Sequence, residues 1–148
     1  MGLDQYLYAT KHIWKQEEQD TIQKALANAG LDVPGDPSQI TFEVAYWRKA
    51  NQIHRWFVDH VQGGNDNCEQ YRVNETQLRE LLNTCCTVLT QSDKAEELLP
   101  TQSGFFFGST DYNEGYVHDL KYTIKRLRRI LKEKQFFDEW FVSYRSSW

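Results

Sequence analysis

The chain has 148 residues and a mass of 17.5 kDa, the size of one ordinary domain. Hydrophobic residues make up 40% and charged residues 26%, a globular rather than a disordered balance, and a formal charge of −4 supplies no overall drive toward nucleic acid or an anionic membrane. No apolar run approaches the roughly 18 residues of a transmembrane helix, and Asp4 sits where a secretory signal wants positive charge, so the expectation is a soluble, intracellular chain.

Residues 3–9 alternate, with Leu3, Leu7 and Ala9 on one side and Asp4, Tyr6 and Tyr8 on the other, which predicts a half-buried strand. A helix is predicted over 17–29, with Ile22, Ala25, Leu26 and Ala29 as its apolar stripe and Gly30 as its stop. Two prolines mark 31–39 as a loop, and a second strand follows over 40–46. Residues 47–61 read as a helix closed by Gly63 and Gly64, and 69–73 as a short strand. Asn74 with Gln77 forms a capping-box signature for a helix over 75–90, whose stripe Leu78, Leu81, Leu82, Cys85 and Leu89 makes Cys85 a core residue. A short helix over 92–99 ends at Pro100.

After the glycine-bounded run Phe105, Phe106 and Phe107, a strand buried on both faces competes with a loop that turns at least one ring elsewhere. Asp111 and Glu114 form a second capping box, opening a helix to about residue 134 with Val117, Leu120, Ile124, Leu127 and Leu131 inward. Residues 140–145 alternate again as a final strand, and the first and last strands are candidates to pair. The fold class expected is α+β: a single domain over 1–148, with a small, largely antiparallel sheet and four or five helices packed on it.

Aromatic residues reach 14%, with 5 Trp, 8 Tyr and 8 Phe. An interior of this size needs fewer, so some rings are expected on a working surface. Cys68, Cys85 and Cys86 are a poor disulfide framework, and neither they nor the scattered His12, His54, His60 and His118 have metal-ligand spacing, so no metal or other cofactor is expected.

Two blocks carry candidate chemistry. On the predicted helix, Trp47, Asn51 and His54 fall at i, i+4 and i+7 beside Arg48 and Arg55, a set able to grip an anionic or planar ligand. The plainer alternative makes Trp47 core and His54 a satisfied boundary histidine. Thr101, Gln102, Ser103, Gly104, Gly108, Ser109 and Thr110 offer small hydroxyls and a free backbone before a helix, which suits an anion. They form neither a Walker A motif nor GxGxxG. A basic stripe, Lys121, Lys125, Arg128 and Lys132, runs opposite the apolar face of the last long helix and could meet RNA, DNA or an acidic partner, or stay a solvated face. Ser103 or Ser109 with His54 or His118 lacks a nucleophile elbow or triad spacing, so no catalytic residue is assigned.

Three blocks, FEVAYWRKANQIHRWFV (42–58), LLPTQSGFFFGSTDYNEGY (98–116) and the ending YRSSW (144–148), occur in order behind an MGLD opening and a YLY strand. Together they resemble a family of small bacteriophage-encoded accessory proteins. The resemblance implies a phage origin and expression in the host cytoplasm; it carries over no reaction, cofactor or catalytic residue. The leading expectation is a binding protein acting in the infected host, which inhibits or sequesters a host or defence component without catalysis. Its partner is a protein or a nucleotide-like small molecule, with no membrane, and a homo-oligomer is compatible. The alternatives are a nucleic-acid binder using the basic helix and a small nucleotide-modifying or hydrolytic enzyme.

Overall fold

Alternating segments at the two ends of the chain build the centre of one sheet. The computed structural model describes residues 2–148. Along them run β1 (Asp4–His12), α1 (Gln16–Asn28), β2 (Gln39–Arg48), α2 (Asn51–His60), β3 (Tyr71–Val73), α3 (Glu75–Thr90), a 3-10 turn (Ser92–Lys94), α4 (Ala95–Leu98), α5 (Glu114–Leu131), α6 (Phe136–Glu139) and β4 (Phe141–Ser147). The strands form one antiparallel sheet in the order β2-β1-β4-β3. The expected α+β architecture with an antiparallel sheet is what the chain adopts, and its first and last strands pair from Asp4 with Ser147 to Thr10 with Phe141.

One face of the sheet is the floor of the core. Leu7 lies between Ala45 and Tyr144 in register, and Ala9 beside Val142. Ile53 and Phe57 of α2, Leu78, Leu81 and Cys85 of α3, and Leu120 and Leu127 of α5 pack over Leu7, Ala45, Val142 and Tyr144 in one cluster. Phe57 stacks on Tyr144 with ring centroids 3.9 Å apart, joining α2 to the middle of the sheet. Each such fully buried large side chain stabilises the fold by about 1.5–3 kcal/mol. Cys85 is fully buried, as its stripe predicts, and burial pushes its thiol far above the usual value, which makes it an apolar filler.

Local signals fared well where they act within a turn. Asn74 Oδ1 accepts from Gln77 N (2.8 Å) and Gln77 Oε1 from Asn74 N (2.9 Å), the complete capping box. Gly30, at φ 81°, ends α1 with Leu31 N bonded to the Leu26 carbonyl and Gly30 N to that of Ala27. The second box is corrected: Asn113, not Asp111, caps α5, accepting from Tyr116 N, and the helix stops at Leu131 rather than near 134. Tyr116, Thr123 and Ile130 join its inner face, while Val117 is exposed.

Two expectations fail for tertiary reasons. α1 buries none of its residues. It is an excursion between two strands that pair directly, so its stripe never reaches the helical layer; Gln19 Nε2 ties it to the carbonyls of Ile13 and Pro37, and Gln23 Nε2 to that of Gly35. The helix predicted from 47 begins at Asn51, because β2 continues through Trp47 and Arg48 and Lys49 turns the chain at φ 60°. Trp47 is therefore a strand residue, inward beside Ala45, and not on one helical face with Asn51 and His54.

Candidate functional site

Asn51 opens α2 facing the loop that links α4 to α5. It is 1% exposed and all its bonds go to that loop: Nδ2 donates to the carbonyls of Phe107 (3.1 Å) and Ser109 (2.8 Å), and Oδ1 accepts from Gln102 N (3.0 Å). Arg55, one turn on, donates to the Thr101 carbonyl, and Thr101 Oγ1 closes the loop on the Thr110 carbonyl. Ser109 Oγ accepts from Asp111 N, and Ser103 is exposed. The hydroxyls of Thr101 and Ser109 are thus spent on the loop's own backbone, several residues before α5 begins.

The structure brings Asn51 and the 101–109 block together, as a pinned loop rather than an open cleft. Trp47 and His54 turn inward. Trp47 is 3% exposed, its Nε1 donates to Thr123 Oγ1 (2.8 Å), and its ring packs on Phe57 and Tyr122. His54 is 0% exposed, with Nε2 2.9 Å from Asp66 Oδ2 and Nδ1 2.8 Å from the Tyr144 hydroxyl. A carboxylate only accepts, so Nε2 carries the proton toward Asp66, and in the neutral ring Nδ1 accepts from Tyr144. Burial holds the Tyr144 phenol well above its ordinary range, keeping it a donor. Trp148 Nε1 donates to the other Asp66 oxygen (3.0 Å), and its ring meets Phe107 edge-on. Tyr144 and Trp148 lie far from His54 in sequence and Asp66 sits in the loop after α2, so no helical spacing announces them. The chain of bonds joins α2, β4 and the loop after α2; neither Ser103 nor Ser109 takes part in it.

The pinned loop projects two rings. Phe107 N bonds the Gly104 carbonyl (3.2 Å), making residues 104–107 a tight turn. Phe107 is buried against Gly104, where an added Cβ would lie 2.6 Å from its ring, whereas Phe105 is 80% and Phe106 47% exposed. The run is thus no strand: its turn sends one ring in and two out. Phe106 sits at φ 61°, a left-handed conformation that costs a non-glycine residue about 1–3 kcal/mol. Its carbonyl accepts from Leu3 N, and Gly108, at φ 89°, lies against Lys49, with an added Cβ 3.0 Å from Lys49 Cβ. Arg48 and Lys49, both exposed, stand beside this knuckle.

The basic stripe is laid out as its spacing predicts. Lys121, Lys125, Arg128 and Lys132 are all exposed on α5, and among the described residues none joins an ion pair. Lys121, Lys125 and Arg128 rim a shallow groove between α3 and α5, floored by Cys86, Leu89 and Ile124. Arg126 points the other way and donates to the Val44 carbonyl (2.7 Å), at the residue skipped in the β1–β2 register, so it serves the fold. Among the described residues no cluster of three His, Cys, Asp or Glu is placed to hold a metal ion, and no helix is long and apolar enough to cross a membrane. Compared with known proteins, the chain matches no family model, no curated protein and no solved structure.

Proposed function

We propose that the chain is a non-catalytic binding protein that docks on a partner protein through the Phe105–Phe106 knuckle. The observation that carries this reading is the turn at Phe106: a strained backbone, its carbonyl held by Leu3 N, keeps the Phe106 ring about half exposed and packed beside the 80% exposed ring of Phe105. Strain that internal burial offsets only in part is expected where a partner supplies the rest. The partner surface that fits is an apolar pocket with an acidic rim, since the exposed Lys49, which joins no ion pair among the described residues, stands beside the backbone of the knuckle. The resemblance to phage accessory proteins supports the setting proposed: the infected host, with a host or defence component inhibited or sequestered.

The test is affinity capture from infected cells with native mass spectrometry, comparing the wild-type chain with Phe105→Ala/Phe106→Ala. An exposed aromatic anchor contributes about 2 kcal/mol or more, so the double variant should lose its protein partner by at least the roughly 30-fold that one ring supplies, while its thermal melt does not fall. A photo-crosslinker at position 105 should join the same partner, whereas one at the exposed Leu26 should not. Equal capture by both forms removes the knuckle from the interface.

A second reading rests on the unpaired cations of α5, which suit the phosphate backbone of a nucleic acid. Its mark would be salt-dependent binding that is lost in Lys125→Glu/Arg128→Glu.

A further inference from the structure

The sheet has a second face. By register, Asp4, Tyr6, Tyr8, Thr10 and His12 of β1 point away from the core residues Leu7 and Ala9. Their neighbours on the same side are Arg48, Tyr46, Glu43 and Thr41 of β2, and Ser147, Arg145, Ser143 and Phe141 of β4. Arg72 of β3 stands opposite Ser143. The helices that build the core lie on the other side, and α1, which buries no residue, is not seated on this one.

The outward residues include no aliphatic side chain. They consist of rings, guanidiniums, hydroxyls and two carboxylates. Tyr6 is the hub: Tyr46 lies beside it with ring centroids 5.4 Å apart, and Tyr8 is parallel to it within 3° at 5.8 Å. Across the strand pair, Tyr6 faces Arg145. Beyond Tyr8 the series continues through Phe141, which carries the Arg72 guanidinium 4.7 Å over its ring, to His12 and the 80% exposed Trp14. Between Tyr8 and Phe141 the face dips into a depression bounded by Thr10, Thr41, Gln70 and Arg145.

Of the two carboxylates, Asp4 is taken up by Arg48 and the Tyr46 hydroxyl, while Glu43 is exposed beside Tyr8. Arg72 and Arg145 are exposed, and among the described residues neither has an ion-pair partner.

We infer that the outward face of the sheet is a stacking platform for single-stranded nucleic acid, with Tyr6 and Tyr8 receiving bases and Arg145 and Arg72 receiving phosphates. Tyr6 and Tyr8, on alternate strand positions with parallel rings 5.8 Å apart, offer successive flat faces along the strand direction, which an extended single strand with its bases turned out can follow. Every base offers a flat face, so such a platform binds with little sequence preference. A duplex keeps its bases stacked inside and would engage only the guanidiniums. A protein anchored on the same rings is the competing occupant, and its mark would be absence of single-strand binding. The site is separate from the Phe105–Phe106 knuckle and from the α5 stripe, and its test is independent of both.

The probes are fluorescent oligothymidylate and oligouridylate of about 12 nucleotides, and a duplex of the same length, titrated at several salt concentrations. Single strands are expected to bind at least about tenfold more tightly than the duplex. Tyr6→Ala and Tyr8→Ala should each weaken binding by roughly 5- to 150-fold, and Tyr8→Phe should restore it, since the ring does the stacking. Arg145→Glu, at an exposed position, should weaken binding and lower the salt slope by about one. Amide shifts of the wild-type chain on titration should map to β1 and β4, a readout that needs no variant to fold. Absence of single-strand binding overturns the inference, as does equal binding of the duplex. So does binding that survives the tyrosine variants and disappears in Lys125→Glu/Arg128→Glu, which would place nucleic acid on α5.

Discussion

Asn51 shows how one side chain can be read correctly for its chemistry and wrongly for its direction. Its donor and acceptor capacity drew attention in the sequence, and all of it is used, on backbone groups of Gln102, Phe107 and Ser109 rather than on a ligand. Removing it leaves two carbonyls and one amide to find other partners in a nearly dry site. Asn51→Ala should therefore cost about 2–4 kcal/mol, read by chemical denaturation, with faster hydrogen exchange at residues 102–109. Unchanged exchange there would mean that the bonds from Arg55 to Thr101 and from Leu3 to Phe106 hold the loop without Asn51. His54 follows the same logic: its partners Asp66 and Tyr144 come from a later loop and the last strand, and no local pattern could have named them.

At the level of elements, capping chemistry was the most legible part of the chain. Asn74 and Gln77 bond each other's backbone because four consecutive residues suffice to define that geometry. Asn74→Ala should lower stability by about 1 kcal/mol in a urea titration, with no change in the spectroscopic helix signature of the native state. The capping box at Asp111 misled because Asn113, two residues later, is an equally good cap and sits where the chain turns into the core. The start of α2 was illegible for a different reason. Lys49 takes a left-handed conformation without the glycine or asparagine that would advertise it, against the close approach of Gly108. α1 had every local mark of an amphipathic helix, yet the strands on either side of it pair directly and carry it outside the core.

For the whole molecule, α5 couples charge to folding. Asp119 faces Gln52 of α2, which donates to it at 3.3 Å, but burial dominates and raises its pKa above the ordinary carboxylate value. The folded state then holds the proton more tightly than the unfolded chain does. The stability this contributes is fully present below the unfolded value near about 4 and is lost as pH rises through the raised folded value. Asp119→Asn, which keeps an acceptor for Gln52, should melt higher than the wild type at neutral pH, with the gain shrinking as the pH is lowered toward about 4. A constant difference across that range would show that the charge of Asp119 plays no part.

Taken at this scale, the sequence by itself determined the kinds of element and most of their order, the helix stop at Gly30, the box at Asn74, the burial of Cys85, the exposed basic face of α5, and strands at both ends of the chain. These depend on residues within one or two turns of each other, where spacing alone carries the physics. Only the tertiary structure decided that Trp47 and His54 turn inward, that Phe107 is buried while Phe105 and Phe106 are shown, and that Tyr6, Tyr8, Tyr46 and Arg145 share one face. Those outcomes follow from the register between strands drawn from opposite ends of the chain, and from a loop fastened to a helix far from it in sequence. Pairing of that kind is set by the packed core, and no local pattern encodes it.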